Sequence, residues 1–169
     1  MAYEFYVSVE GTTTGKFKGE STKEKQKDKI PGLSFEYAVR SPFDGATGNQ
    51  SGKRLHEPIR FVKEWGASTP QFFHSLATNE TLKKVTFEFW RTDPTGKQAA
   101  YYTITLENAR VVTVKQFSSD VKVQGSVTSQ RAVSSSANEL EEISFVFQKI
   151  TVENTQAKTS AMDDWESGR

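Results

Sequence analysis

Two histidines and no cysteine leave this chain of 169 residues few of the side chains that ordinarily do chemistry. A thiolate zinc site, an iron–sulfur cluster and a cysteine nucleophile all need cysteine, and a histidine-rich metal site needs more imidazoles than His56 and His74 supply. The composition therefore excludes zinc–thiolate and thiol chemistry. It predicts neither a metal nor a cofactor.

The segment GATGNQSGKR, residues 45–54, comes nearest to a nucleotide-binding motif. A phosphate-binding loop needs two glycines separated by four residues, followed by Lys and then Ser or Thr. Thr47 stands where the first glycine should be, and Arg54 replaces the hydroxyl residue that would hold magnesium. Pro58 interrupts the helix that should follow. The segment is therefore not predicted to bind a nucleotide.

No nucleophile, base and acid can be combined into a catalytic set from the sequence. His74 lies away from the apolar side of a predicted helix, and the chain has no nucleophile-elbow sequence. Its acidic pairs lack the surroundings that indicate a glycosidase. We therefore expect a protein that is not an enzyme and whose function lies in a surface.

Charge and hydropathy exclude further classes of partner. Lys and Arg number 22 against 21 Asp and Glu, so the net charge of +1 predicts no binding to nucleic acid. Six lysines within residues 16–29 indicate a solvated hairpin or edge strand rather than a phosphate patch, because only Phe17 could stack on a base there. Apolar runs are short and the N-terminus does not resemble a signal peptide, which predicts synthesis in the cytoplasm and no membrane insertion.

The elements that carry these residues are predicted to be strands. Val, Ile, Thr and aromatic residues outnumber Leu, Ala and Met by 57 to 20, a bias typical of pleated sheets. Alternating apolar residues predict strands at residues 3–9, 33–40, 85–90, 100–109, 109–114 and 143–150. The turn Asp93–Gly96 has Pro and Gly in their favoured positions and predicts a hairpin.

One helix and two long connections interrupt the strands. Ser68 and Gln71 can form a capping box, or Thr69 can cap with Pro70 first, and Phe72, Phe73, Leu76 and Ala77 then recur at helical spacing. Residues 41–56 lack periodicity and predict a long functional loop, and residues 117–139 predict a connection with at most a short strand. The fold class is therefore mainly β: a small barrel or sandwich of about seven to nine strands, one flanking helix and long loops.

Several motifs together resemble a known family. They are GES at 19–21, the strand LSFEYAV, the STPQ helix start, the hairpin FWRTDPTGK, the strand YYTITLENA and the strand EEISFVFQKI. Over residues 2–152 the chain resembles Hcp, the haemolysin-coregulated protein of bacterial type VI secretion systems. The resemblance divides the chain into an Hcp-like β-barrel domain at 1–153 and a polar C-terminal tail at 154–169. Polarity predicts disorder for this tail, in which Trp165 is suited to docking.

The resemblance implies a phage tail-tube-like subunit of a secretion tube. Its implied assembly is a homo-hexamer whose rings stack, with the spike protein VgrG at the tip, a contractile sheath outside and effector proteins in the lumen. The implied route is from the bacterial cytoplasm to the exterior without a signal peptide.

Two sets of residues are candidates for contacts in such an assembly. The polar face of LSFEYAVR predicts a lumen-facing set, Ser34, Glu36 and Arg40, although an ordinary outer surface fits this face equally well. The long loop predicts contacts between subunits or rings through Ser41, Pro42, Phe43, Asp44, Gly45, Asn49, Gln50, Lys53 and Arg54.

Two alternatives remain open from the sequence. A phage tail-tube subunit would have the same assembly physics. A carbohydrate-binding β-sandwich could use Trp65, Trp90 and Trp165 as stacking platforms, although Trp65 and Trp90 flank apolar runs that indicate core or interface positions.

Overall fold

The computed structural model describes residues 4–118 and 139–165 of the chain, and the fold there is mainly β. One α-helix, α1, spans Thr69–Ala77. Strands in these residues are β1 Glu4–Gly11, β2 Ile30–Gly32, β3 Ser34–Glu36, β4 Val39–Arg40, β5 Leu55–His56, β6 Ile59–Glu64, β7 Leu82–Thr92, β8 Gln98–Ser118, β9 Glu139–Val146, β10 Lys149–Asn154 and β11 Thr159–Asp164. The predicted fold class is confirmed.

Nine strands form one antiparallel sheet that bends around the core. Its path runs β2–β1–β7–β8–β9–β6–β3, with β10 on β8, β11 on β10, and a separate two-stranded ladder of β4 and β5. The two ends of this path, β2 and β3, are separated in the chain by Leu33 alone, whose N–H donates to the Val62 carbonyl at 2.8 Å. The sheet therefore turns back on itself at Leu33, although β2 and β3 do not pair as a ladder.

The core inside this curved sheet is rich in phenylalanine. Phe61, Phe72, Phe87 and Phe145 are fully buried, and the rings of Phe61 and Phe145 stack with centroids 5.8 Å apart. Such ring pairs add directional packing to the hydrophobic effect. Burial also confirms the predicted inward faces, which contribute Phe5, Val7, Val9, Val85, Phe87, Ile104, Leu106, Ile143, Phe145 and Phe147.

Two predicted elements have the predicted ends. The Asp93–Gly96 turn joins β7 to β8, with the Gly96 N–H donating to the Asp93 carbonyl at 2.9 Å. Gly96 has φ +85°, a backbone conformation that suits glycine. The predicted helix is α1 with Pro70 in its first turn.

The predicted capping box of this helix is wrong. The Ser68 hydroxyl donates to the Glu20 carboxylate at 2.7 Å, and the Gln71 side-chain oxygen accepts from the Lys18 N–H instead. A carboxylate from another part of the chain thus takes the place of the local cap. Phe73 is also 61% exposed, because the helix packs on the sheet through Phe72 and Ser75.

Three predicted strands have different extents in the structure. LSFEYAVR is broken at Tyr37 into β3 and β4, which leaves Leu33 and Val39 exposed while Phe35 and Tyr37 pack on the core. The two segments at 100–109 and 109–114 are one strand, β8, and the segment at 143–150 is divided between β9 and β10.

The lysine-rich segment 16–29 is not the predicted hairpin or edge strand. It follows an isolated bridge between Glu10 and Lys16 and contains one 3₁₀ turn at Glu24–Gln26. Phe17 is buried, with its ring 5.0 Å from that of Phe72. The ring therefore belongs to the core and cannot stack on a base.

The predicted disorder of the tail is wrong over most of its length. Strand β11 pairs with β10 from Asn154–Thr159 to Lys149–Asp164, and the ring of Trp165 lies 5.1 Å from that of His56. The polar side chains do not prevent this pairing, because backbone groups make the ladder. The predictions for Tyr3, for 119–138 and for 166–169 lie outside the described residues.

Candidate assembly surface

The loop predicted at 41–56 is the outer half of a long hairpin. Glu36 pairs with Arg60 between β3 and β6, Val39 pairs with His56 between β4 and β5, and Phe43 bridges to Gln50 beyond them. The expectation of a segment without structure is therefore wrong. Its side chains show no alternation because neither face is buried, while the pairing is made by the backbone. We refer to residues 41–54 as the arm.

Asp44 builds the turn at the tip of the arm. Its carboxylate accepts from the Ala46 N–H at 2.9 Å and from the Thr47 hydroxyl at 3.0 Å, and Gly48 completes the turn with φ +71°. The hydrogen bond from the Ala46 N–H, with that from Thr47, lowers the pKa of Asp44. The tip is thus held by local hydrogen bonds.

A buried histidine fixes the root of the arm. Both nitrogens of the His56 ring make hydrogen bonds: Nδ1 with the Tyr37 hydroxyl at 2.7 Å, and Nε2 with the Asp163 carboxylate, which accepts, at 2.6 Å. Burial raises the pKa of Tyr37 to about 12. The hydrogen bond from Arg54 is the main cause that lowers the pKa of Asp163. The root is therefore bound to β11, and Arg54 is engaged within its own chain.

Most of the predicted contact residues on the arm are fully available to a partner. Residues 41–53 are all exposed, and Phe43 is 69% exposed. At the root, Val39 and Leu55 are 50% and 53% exposed. The predicted residues Ser41, Pro42, Phe43, Asp44, Gly45, Asn49, Gln50 and Lys53 therefore share one projecting element.

The predicted lumen-facing residues follow the same hairpin at its base. Ser34 and Glu36 lie on one side of β3, alternating with Phe35, and Glu36 is exposed. Arg40 lies on β4, and its guanidinium pairs with the Glu57 carboxylate. The structure brings these residues onto one edge of the fold beside the arm.

A buried ion cluster lies at the opposite end of β6. The Lys63 ammonium is 2.7 Å from a Glu141 carboxylate oxygen and 3.6 Å from Glu20, and both Lys63 and Glu141 are buried. The Thr69 hydroxyl donates to Glu141 at 2.7 Å, and Ser68 donates to Glu20 through both its N–H and its hydroxyl. The cluster therefore ties the start of α1 to β6 and β9.

The sequence contained a signal for this cluster that apolar patterns miss. Lys63 follows Ile59 and Phe61 at alternate positions of β6, and Glu141 precedes Ile143 and Phe145 at alternate positions of β9. Alternation thus places both charges on inward faces, where a charge must be paired. The register sets Lys63 opposite Glu141.

Within 4–118 and 139–165, no group of three or more His, Asp or Glu side chains could hold a metal ion. No helix there is long and apolar enough to cross a membrane.

The described residues thus define a small antiparallel β protein with a projecting, exposed hairpin. Comparison with known proteins gives the family. The family model "Type VI secretion system effector, Hcp" matches residues 6–153. The "Major exported protein" of Pseudomonas aeruginosa is 30% identical over 176 residues, covering 99% of this chain and 98% of the relative.

Solved structures agree with this family. A crystal structure of an Hcp protein has a TM-score of 0.83 and 27% identity, covering 97% of this chain and all of the other. The secreted protein Hcp3 from Pseudomonas aeruginosa has a TM-score of 0.76 and 26% identity, covering 98% of this chain and all of the other. The chain belongs to the Hcp family and is a tube subunit of a type VI secretion system.

Proposed function

We propose that six copies of this chain close into a ring and that the rings stack into the inner tube of a type VI secretion system. A closed ring needs a head-to-tail interface, and a stack needs a second interface that remains open at both ends. One chain must therefore present two pairs of complementary surfaces. The observation that carries the proposal is the arm, an ordered hairpin whose residues 41–53 are all exposed.

The arm has the properties of an element that is stabilised by contact with another chain. Ordering a residue costs about 1–2 kcal/mol of conformational entropy, and burial within the chain does not offset this cost over residues 41–53. Exposed apolar side chains at Val39, Phe43 and Leu55 add a surface that gains free energy when covered. Contact with a neighbouring ring would cover these apolar side chains and offset the cost of ordering the arm.

Deleting residues 44–52 tests the assignment of the arm to stacking. Rings should form as in the wild type, because the root at His56 and the core are untouched. Stacks should need about tenfold more protein, the equivalent of ~1.4 kcal/mol per interface between two rings. Negative-stain electron microscopy across a concentration series measures both. Stacks of normal length at normal concentration would contradict the assignment.

The polar edge beside the arm is proposed to line the lumen. A wall that must hold cargo and then release it should carry few large apolar patches, and Ser34, Glu36 and Arg40 form such a surface. The cargo would be effector proteins. The spike protein VgrG would sit at the tip of the tube and a contractile sheath outside it. The chain would be made in the cytoplasm and exported with its cargo, and it would act without catalysing a reaction.

Reversing one charge tests the lumen assignment. Glu36→Lys should change the amount of effector that co-purifies with the rings by several-fold, because the carboxylate faces the cargo, and it should leave ring formation intact. Lys97→Glu, on the exposed hairpin turn, is the matched control. Loss of the ring in Glu36→Lys would place the residue at an interface instead.

A further inference from the structure

A cavity opens where the sheet turns back on itself at Leu33. It has a volume of about 170 Å³ and is lined by Glu20, Pro31, Leu33, Glu64 and Trp65. Leu33 and Trp65 remain 41% and 43% exposed around it. Its wall therefore combines apolar surface with two carboxylates.

Trp65 is held as a fixed wall of this cavity. Its indole N–H donates to the Leu140 carbonyl at 2.8 Å, and its backbone N–H donates to the Glu139 carbonyl at 3.2 Å. Because the polar edge of the indole is satisfied by the protein, the exposed part of the ring is apolar. The face of such a ring attracts a cation through its quadrupole.

The charges around the cavity are predominantly negative. Glu20, Glu64 and the buried Glu141 carry three negative charges against the single positive charge of Lys63. In the described part of the chain, one oxygen of Glu20 is buried without a hydrogen-bond partner. The group that suits this site is a cation with an apolar stem, which is the chemistry of a lysine side chain.

The topology indicates where that lysine comes from. Leu33 and Glu64 lie at one end of the hairpin of β3 and β6, and the arm extends from the other end. A surface at one end and a complementary element at the opposite end form a head-to-tail contact, which repeats when copies stack in the same orientation. A cation on the arm of one copy can thus reach the cavity of the next.

Lys53 is the cation of the arm that is free to do so. Arg54 pairs with Asp163, and Arg40 at the root pairs with Glu57. Lys53 is exposed and has no ion pair within the described residues. We propose that the Lys53 side chain of one copy enters the cavity of a second copy, where it contacts Trp65 and the carboxylates of Glu64 and Glu20. This inference rests on the proposed stacking and names its contact.

The absence of cysteine from the chain makes a direct test possible. In the double variant Lys53→Cys with Glu64→Cys, a disulfide can form only between copies. Eleven residues of extended chain separate the two positions by roughly 30 Å, whereas a disulfide needs Cα atoms within about 7 Å. Oxidation of assembled protein should give a ladder of covalent multimers on non-reducing gels, and a reductant should abolish it. Lys97→Cys with Glu64→Cys is the control and should give no ladder.

A charge exchange supplies a second measurement. Lys53→Glu and Glu64→Lys should each raise the concentration needed for stacking about tenfold, and the double variant should recover most of this loss. Stacked rings without a Lys53–Glu64 cross-link and without recovery would overturn the inference and leave the proposed function intact. A wild-type preparation that forms no rings would overturn the proposed function, and the inference with it.

Discussion

At the scale of single residues, the most unusual feature is the pair of buried charges on neighbouring strands. Lys63 and Glu141 are 1% and 0% exposed and lie 2.7 Å apart. Such a pair recovers its desolvation cost only through good geometry, so removing one partner leaves the other charge buried and unpaired. Two further hydrogen bonds complete the cluster: Lys63 donates to the Glu64 carbonyl, and the Thr69 hydroxyl donates to the Glu141 carboxylate.

Replacing one partner should therefore cost far more than replacing both. Lys63→Met should lower the free energy of unfolding by about 3–5 kcal/mol, because the Glu141 carboxyl group is then buried without its partner. The double variant Lys63→Met with Glu141→Leu should recover most of that loss. Guanidinium denaturation at one fixed protein concentration measures both. A single variant within about 1 kcal/mol of the wild type would show that the pair does not hold the fold.

Apolar alternation identified buried residues such as Val7, Phe87 and Phe145 in the predicted strands, but it did not identify these two charges. The predicted strands do not include β6, so its buried residues Ile59, Phe61 and Lys63 were all missed. Apolar character also placed Phe73 on the buried side of the helix, whereas it is exposed. Which of two adjacent phenylalanines faces the sheet depends on the docking of the helix, and helical spacing alone allowed both.

At the scale of elements, Glu80 joins the turn after β1 to the end of α1, two segments that are distant in the chain. Its carboxylate accepts from the N–H groups of Thr13 and Thr14, each at 2.7 Å, and from the hydroxyls of Thr14 and Ser75. Burial by itself raises the pKa of Glu80, but these hydrogen bonds outweigh it and the pKa is lowered below 4.5. The ionised carboxylate thus holds the turn after β1 against the end of α1.

This arrangement predicts a pH dependence of known sign. A carboxyl group whose pKa is lower in the folded state stabilises the fold above its unfolded pKa of 4.5, and this contribution is lost as pH falls from there through the folded pKa. Between pH 5 and pH 3 the wild type should therefore lose more unfolding free energy than Glu80→Gln. Other carboxyl groups titrate in both proteins and cancel. Equal losses in denaturation series at the two pH values would contradict the assignment.

Two elements held by burial were predicted, whereas two elements held by backbone pairing were not. The Asp93–Gly96 hairpin and α1 have apolar faces and strong end signals, and both lie where the sequence predicts. The arm and β11 have polar side chains on both faces, so period-two alternation is missing from each. Their ladders, Phe43 with Gln50 and Val152 with Ala161, depend on pairing partners that a local pattern cannot specify.

At the scale of the whole molecule, a net charge of +1 and the absence of cysteine fit a subunit that packs against copies of itself. Identical copies at high local density avoid strong like-charge repulsion when each is nearly neutral. A chain that passes between compartments of different redox state avoids accidental cross-links when it has no thiol. The resemblance carried by GES, FWRTDPTGK and EEISFVFQKI predicted the family correctly. The proposed contacts between copies could be inferred only from the positions of the arm and the cavity in the structure.

The proposed function requires six copies of this chain to close into a ring. Native mass spectrometry of the purified protein at micromolar concentration tests it most directly, because the stoichiometry is read from mass alone. A hexameric ring should give a dominant species at six times 19.0 kDa, with heavier species at multiples of that mass. A chain that remains at 19.0 kDa under these conditions, and that binds glycans through its tryptophans, would rule out the tube subunit.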